Sequence, residues 1–223
     1  MISEWLDAST LWMILDFIGS LAFAVSGIRL SSAKNFDVFG AYVVGLATAA
    51  GGGTNRDVLL GEHPYWMSSP AYLVSTGLAL LMVWIWGGKL IRKVNTWFIF
   101  DTIGLAVFTV SGTAKTLALG WPWWTAVMMG TMTGAAGGVV RDILIGEVPL
   151  IFRKEIYASA CIIGSLVYII ITSMFGNVVG RMGQIGGMET GATIIAGAVV
   201  IAVRLIAVKY QISLPHLHGE DDK

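Results

Sequence analysis

Arg56-Asp57 and Arg141-Asp142 are two copies of one charged dipeptide, each set in apolar sequence and 85 residues apart. Asp16 and Asp101 recur at the same offset, as do Ser26 with Ser111 and Thr48 with Thr133. Charges inside long apolar runs are costly, and they are kept either as structural ion pairs or as the lining of an ion path. Hydroxyl oxygens beside such a path can replace water around a desolvating cation, although Ser and Thr in membrane helices also bond their own backbone. Neighbouring residues on a helix point about a hundred degrees apart. Each Arg and Asp is therefore expected to find its partner elsewhere, across the two copies or at Asp16 and Asp101. Repeated carboxylates can in principle act as acid and base, but no nucleophile or oxyanion donor recurs with them. Nor do the neighbouring glycines have the form of a nucleotide-binding loop. With 3 histidines and 1 cysteine there is no metal cluster to be read. The expectation is a protein that is not an enzyme and has no cofactor or metal.

The dipeptides belong to a longer duplication. Gly51-Gly52-Gly53-Thr54-Asn55-Arg56-Asp57 through Gly61-Glu62-His63-Pro64 is matched by Ala136-Gly137-Gly138-Val139-Val140-Arg141-Asp142 through Gly146-Glu147-Val148-Pro149, with 8 of 14 positions identical. Asp16 to Gly27 matches Asp101 to Gly112 at 7 of 12 positions, again without a gap. Such self-similarity at a fixed offset marks two structural repeats.

The surrounding elements must hold these charges in lipid. The 223 residues are 56% hydrophobic and 13% charged, and their 14 basic and 14 acidic side chains cancel, which leaves no field to attract nucleic acid. Seven segments approach the roughly 20 apolar residues that a spanning helix needs: about 11–30, 37–53, 71–88, 97–116, 122–140, 156–175 and 189–208. The predicted fold is an all-α membrane protein with a single transmembrane domain over 1–208. It consists of repeat one (about 11–88), repeat two (about 96–175) and a seventh helix (about 189–208), followed by a short cytoplasmic tail, 209–223. The second and fifth spans run into the glycine clusters, where each interior glycine costs a helix about 1 kcal/mol against alanine. Both helices are expected to break or kink there, before the Gly-Glu-x-Pro turns. The seventh span lies outside the duplication and is read as peripheral packing or an oligomer contact, with Gly187 and Gly191 spaced for close helix approach.

Three spans per repeat force the second copy to enter from the opposite face, giving a 3+3 inverted repeat whose equivalent helices meet near the bilayer midplane. Basic residues concentrate in alternate connections, at Arg29 and Lys34, at Lys89, Arg92 and Lys93, and at Arg153 and Lys154, with Lys209 after the last span. That bias places the amino end outside and the carboxyl end in the cytoplasm. Lys115 faces Leu30 in the repeat alignment and is either a gating or voltage-sensing cation or a side chain that snorkels to the interface. Trp5, Trp12, Trp66, Trp97, Trp121, Trp123 and Trp124 read as an interfacial belt, and Cys161 as a small packing residue. The polar tail with His216 and His218 reads as a solvated end, a metal role for the pair being the other reading.

The doubled glycine–Arg-Asp motif and its Gly-Glu-x-Pro, within three plus three plus one spans, resemble the prokaryotic relatives of the trimeric intracellular cation (TRIC) channels. These bacterial proteins are also described as having two "glycine transporter" domains. The resemblance implies a homotrimer in the bacterial inner membrane, in contact with lipid and conducting monovalent cations, K+ and Na+, with a pore inside each protomer between the second and fifth helices. Carried over by position, Gly51, Gly52, Gly53, Arg56 and Asp57 form the first pore motif, and Gly137, Gly138, Arg141 and Asp142 the second. Ala136 departs from the pattern at the first glycine. Asp16, Asp101, Ser26, Ser111, Thr48, Thr133 and Lys115 are candidate pore-lining or gating residues. The alternative from the residues themselves is a secondary transporter for glycine or a similar small zwitterion, since broken helix ends can hold both a carboxylate and an ammonium.

Overall fold

The computed structural model describes residues 8–91, 96–153, 156–179 and 186–212. Trp5, Arg92, Lys93, Lys154, Arg181, Gly183 and the His216/His218 tail lie outside the described residues, as do the side chains of Lys89 and Gly187. Among those described, the chain is all helical. The helices are α1 (Ala8–Ala33), α2 (Val38–Leu60), the single turn α3 (Tyr65–Ser68), α4 (Ala71–Ile91), α5 (Thr96–Ala118), α6 (Trp123–Leu144), α7 (Ala158–Val179) and α8 (Gly186–Lys209). A 3₁₀ turn, Leu150–Phe152, follows α6 at the place where α3 follows α2. By length and hydropathy, Thr10–Ala33, Thr96–Ala118 and Glu189–Lys209 are long and apolar enough to cross a membrane, and Ala71–Gly87 and Ala158–Met174 are shorter apolar stretches.

The duplication is visible in the packing. In the first repeat α1 packs on α2 and α4, in the second α5 packs on α6 and α7, and the halves join through α1 with α5 and α2 with α6. A side chain at Gly52 would strike the carbonyl of Thr133, and one at Gly137 would strike the carbonyl of Thr48. Offset by 85, these are the same contact made twice. Rising number on one helix meets falling number on the other, so α2 and α6 cross antiparallel, as an approximate twofold between inverted repeats requires. Gly19 against Val107, and Gly104 against Phe23, repeat the relation between α1 and α5.

This packing changes the reading of the glycine clusters. The expected break is absent: α2 is helical through Gly51–Gly53 to Leu60, and α6 through Gly137–Gly138 to Leu144. Seven and four residues beyond the ends expected from sequence are thus helical. The intrinsic cost of the glycines is offset because removing Cβ lets two backbones touch, which adds dispersion contact along the crossing. In α8, by contrast, a Cβ at Gly191 would meet nothing within 4 Å among the described residues.

What does end α2 and α6 is the following glycine. Gly61 and Gly146 have φ of 75° and 72°, and the next amides, of Glu62 and Glu147, reach back 2.8 Å to the carbonyls of Asp57 and Asp142. Nothing surrounds either Cβ position. Gly61→Ala and Gly146→Ala are accordingly expected to cost about 1 kcal/mol each, from backbone conformation alone, read as equal small falls in the thermal unfolding midpoint of the detergent-solubilised protein.

Candidate functional site

Two charged clusters form at opposite ends of α1 and α5, each built around one Arg-Asp copy. The second copy is the more enclosed of the two. Arg141, with no exposed surface, donates to Asp101 Oδ1 (2.5 Å), Ser26 Oγ (2.8 Å) and Asp142 Oδ1 (2.9 Å from Nε). Three different helices, α1, α5 and α6, therefore meet on one guanidinium. Its planar fork suits that task, because it places several donors in fixed directions. Asp142 turns its other oxygen to the Leu150 amide (3.0 Å), so the same carboxylate fastens the end of α6 to the 3₁₀ turn.

The first copy has the same parts in a looser arrangement. Arg56 Nε donates to Asp57 Oδ1 at 2.7 Å, and Asp57 Oδ2 accepts from the Tyr65 amide at 3.3 Å, matching the Leu150 contact. By analogy with Arg141, Arg56 ought to bridge to Asp16 and Ser111. Instead Ser111 itself donates to Asp16, at a long 3.4 Å. Lys115 reaches Asp57 Oδ1 at 2.8 Å. Lys115, expected as either a gating or a snorkelling lysine, stands in an ion pair with the first motif, its side chain 34% exposed.

Sequence separation misled on one point: the adjacent Arg and Asp do pair, in both copies. The hundred-degree divergence applies to the Cα–Cβ bonds, whereas the arginine side chain is long enough to curl round its own helix to the neighbouring carboxylate. The hydroxyls at the crossing behave differently from the ionisable groups. Thr48 and Thr133 have no exposed surface and bond their own helices, to Val44 O (2.6 Å) and Met129 O (2.5 Å).

Three neighbours of the second cluster, Arg204, Phe98 and Tyr157, escaped the sequence reading. Arg204, from the helix taken as peripheral, is fully buried and lies 3.4 Å from Asp101 Oδ2. Its guanidinium sits 4.8 Å from the ring centroid of Phe98 and 4.6 Å from that of Tyr157, within cation–π range. The signal was present, as a lone charge in Val199-Val200-Ile201-Ala202-Val203-Arg204-Leu205-Ile206, but the duplication drew attention from it. Trp97, read as a belt residue, lies under Arg141 at 5.9 Å.

Each cluster borders a cavity. One of about 340 Å³ is lined by Trp12, Asp16, Arg56, Ser111, Lys115 and Glu189 among others. The other, about 240 Å³, enters past Leu30, Lys34, Glu147 and Arg153 and ends on Arg141 and Asp142. At its mouth Lys34 (2.5 Å) and Arg153 (2.9 Å) flank Glu147, and these two cations hold its carboxyl below the ordinary glutamate range. Among the described residues no three His, Cys, Asp or Glu side chains gather as a metal site.

The family described as "Glycine transporter" matches twice, over residues 13–87 and 98–173, the two halves of the duplication. The inner membrane protein YadS of Escherichia coli K12, of the group UPF0126, is 36% identical over 204 residues, covering 90% of this chain and 93% of its own. A UPF0126 membrane protein of Vibrio cholerae is 34% identical over 218 residues, covering 94% and 84%. Among solved structures, a TRIC cation channel studied for its conductance superposes with a TM-score of 0.78 at 31% identity, over 93% of this chain and 97% of that one. The TRIC orthologue from Rhodobacter sphaeroides gives 0.79 at 28% identity, over 91% and 100%. The chain belongs to the glycine transporter family and, within it, to the prokaryotic relatives of the TRIC channels.

Proposed function

We propose that this protein is a channel for monovalent cations, K+ and Na+, in the bacterial inner membrane, assembled as a homotrimer with one path through each protomer. The observation that carries the reading is the pair of cavities at opposite ends of α1 and α5, one lined by Arg56 with Asp16 and Lys115, the other by Arg141 with Asp142. In this reading Ser26, Thr48, Thr133, Asp101 and Arg141, all without exposed surface, close the path. In the reading, α1, α2 and α4 to α8 are the seven spans, 21 to 26 residues each. At 1.5 Å per residue even the shortest spans about 30 Å of hydrocarbon. The path follows the α2–α6 crossing, with the amino end outside and the carboxyl end cytoplasmic. Similarity to solved cation channels of both chain length and fold supports this assignment over a carrier.

The test is single-channel recording of purified protein in planar bilayers in symmetric KCl, followed by ion substitution. Discrete unitary currents, carried by K+ and Na+ and altered by Arg56→Gln, are expected. Silence from folded protein, together with saturable uptake of labelled glycine into liposomes, overturns the proposal.

A further inference from the structure

We propose that Arg204 is a positioning residue that holds the Arg141 end of the path shut through Asp101; this rests on the channel reading above. The two repeats carry the same gate residues in two arrangements. In the second, Arg141 binds Asp101, Ser26 and Asp142 at once, and α1, α5 and α6 are pinned together. In the first, Arg56 keeps only the Asp57 member of that set, while Asp16 is left with Ser111. The same chemistry is therefore engaged at one end and disengaged at the other.

The difference lies in what each aspartate meets. Asp101 is held on both oxygens, Oδ1 by Arg141 and Oδ2 by Arg204, and it has no exposed surface. Asp16, its repeat counterpart, forms no ion pair within 4 Å among the described residues and borders the 340 Å³ cavity. Arg204 comes from α8, which has no copy in the duplication, so the first repeat has no equivalent of it. Held between Phe98 and Tyr157, its guanidinium fixes the Asp101 carboxylate in the orientation that Arg141 needs. The extra helix breaks the symmetry of the repeats, and its arginine sets which end rests closed. On the other side Lys115, where the first repeat has Leu30, draws on Asp57 and further lowers the need for Arg56 to bridge.

The test uses a reporter thiol at Ser26→Cys in a Cys161→Ala background, because Ser26 lies behind Arg141 as seen from the 240 Å³ cavity. Its modification by a cationic methanethiosulfonate is compared with arginine, lysine and glutamine at position 204, in liposomes and alongside bilayer recording. Arg204→Gln is expected to raise the modification rate and the open probability about tenfold, an equilibrium shift of about 1.4 kcal/mol. Arg204→Lys, which keeps the charge beside Asp101, is expected to stay near the parent, whereas a pure packing role groups lysine with glutamine. If Arg204→Gln does not assemble, Arg204→Met with Asp101→Asn removes both charges of the pair and is expected to raise the rate likewise. Unchanged rates in assembled protein that still conducts overturn this proposal and leave the channel standing; a parent that passes no current overturns the channel reading instead.

Discussion

Arg141→Met is expected to be the most damaging single substitution in the chain, lowering stability by about 3–5 kcal/mol, the range for breaking a buried ion pair from one side. The size follows from what is left behind. Asp101 and Asp142 are 0% and 4% exposed, and without Arg141, among the described residues, the first keeps a single ion pair, with Arg204 at 3.4 Å, and the second only the Leu150 amide. Ser26 and three helices lose their common anchor as well. Arg56→Met removes the chemically identical group in the first repeat, but Asp57 retains Lys115 at 2.8 Å, closer than the Arg204 that Asp101 retains. Its expected cost is smaller, about 1.5–3 kcal/mol, the range for one hydrogen bond to a charged group. Thermal unfolding and size-exclusion profiles of both variants decide the matter, and equal losses would show that the enclosed and open clusters do not differ energetically as the geometry requires. Adding Asp101→Asn to Arg141→Met is expected to recover part of the loss. Such recovery is the non-additivity by which two groups in contact declare themselves.

That asymmetry shows where the sequence was legible and where it was not. A helical membrane fold in two repeats follows from composition and from an offset that persists without a gap, because helix length and apolar content in lipid leave few alternatives. The residues that gather at each end were also visible, since Asp16, Ser26, Arg56 and their copies are the polar positions that recur. Which of them touch was not. The internal pairing of Arg56 with Asp57 depends on a side-chain path that position on a helical wheel does not describe. Arg204 reaches Asp101 across 103 residues and from outside the duplication, so repetition, the strongest signal in the chain, pointed away from it. The glycine clusters were seen as intrinsic weakness in a helix, when the deciding quantity was the backbone facing them.

Gly52→Ala and Gly137→Ala are expected to cost about 1–3 kcal/mol each, the range for overpacking, while Gly51→Ala and Gly53→Ala are expected to be neutral or to stabilise by up to about 1 kcal/mol. A methyl at Gly52 is driven into the backbone carbonyl of Thr133, and one at Gly137 into that of Thr48, neither of which can turn aside as a side chain can. At Gly51 the nearest atom is Val140 Cγ2 at 3.5 Å, and at Gly53 it is an Arg56 nitrogen at 3.9 Å, both ordinary contacts. There the gain in helix propensity is unopposed. If the clusters acted as helix breaks, all three glycines of the first would respond alike, and alanine would straighten the helix at each. If they act as a crossing, only the member facing the other backbone is intolerant, and its copy 85 residues on behaves in the same way. Thermal unfolding midpoints of the four variants separate these cases. Conductance of the surviving Gly52→Ala protein carries the argument further, because a methyl wedged between α2 and α6 parts the two helices along which the proposed path runs. Altered unitary current with the Gly53→Ala current unchanged is the expected result, and equal currents in both would move the path away from the crossing.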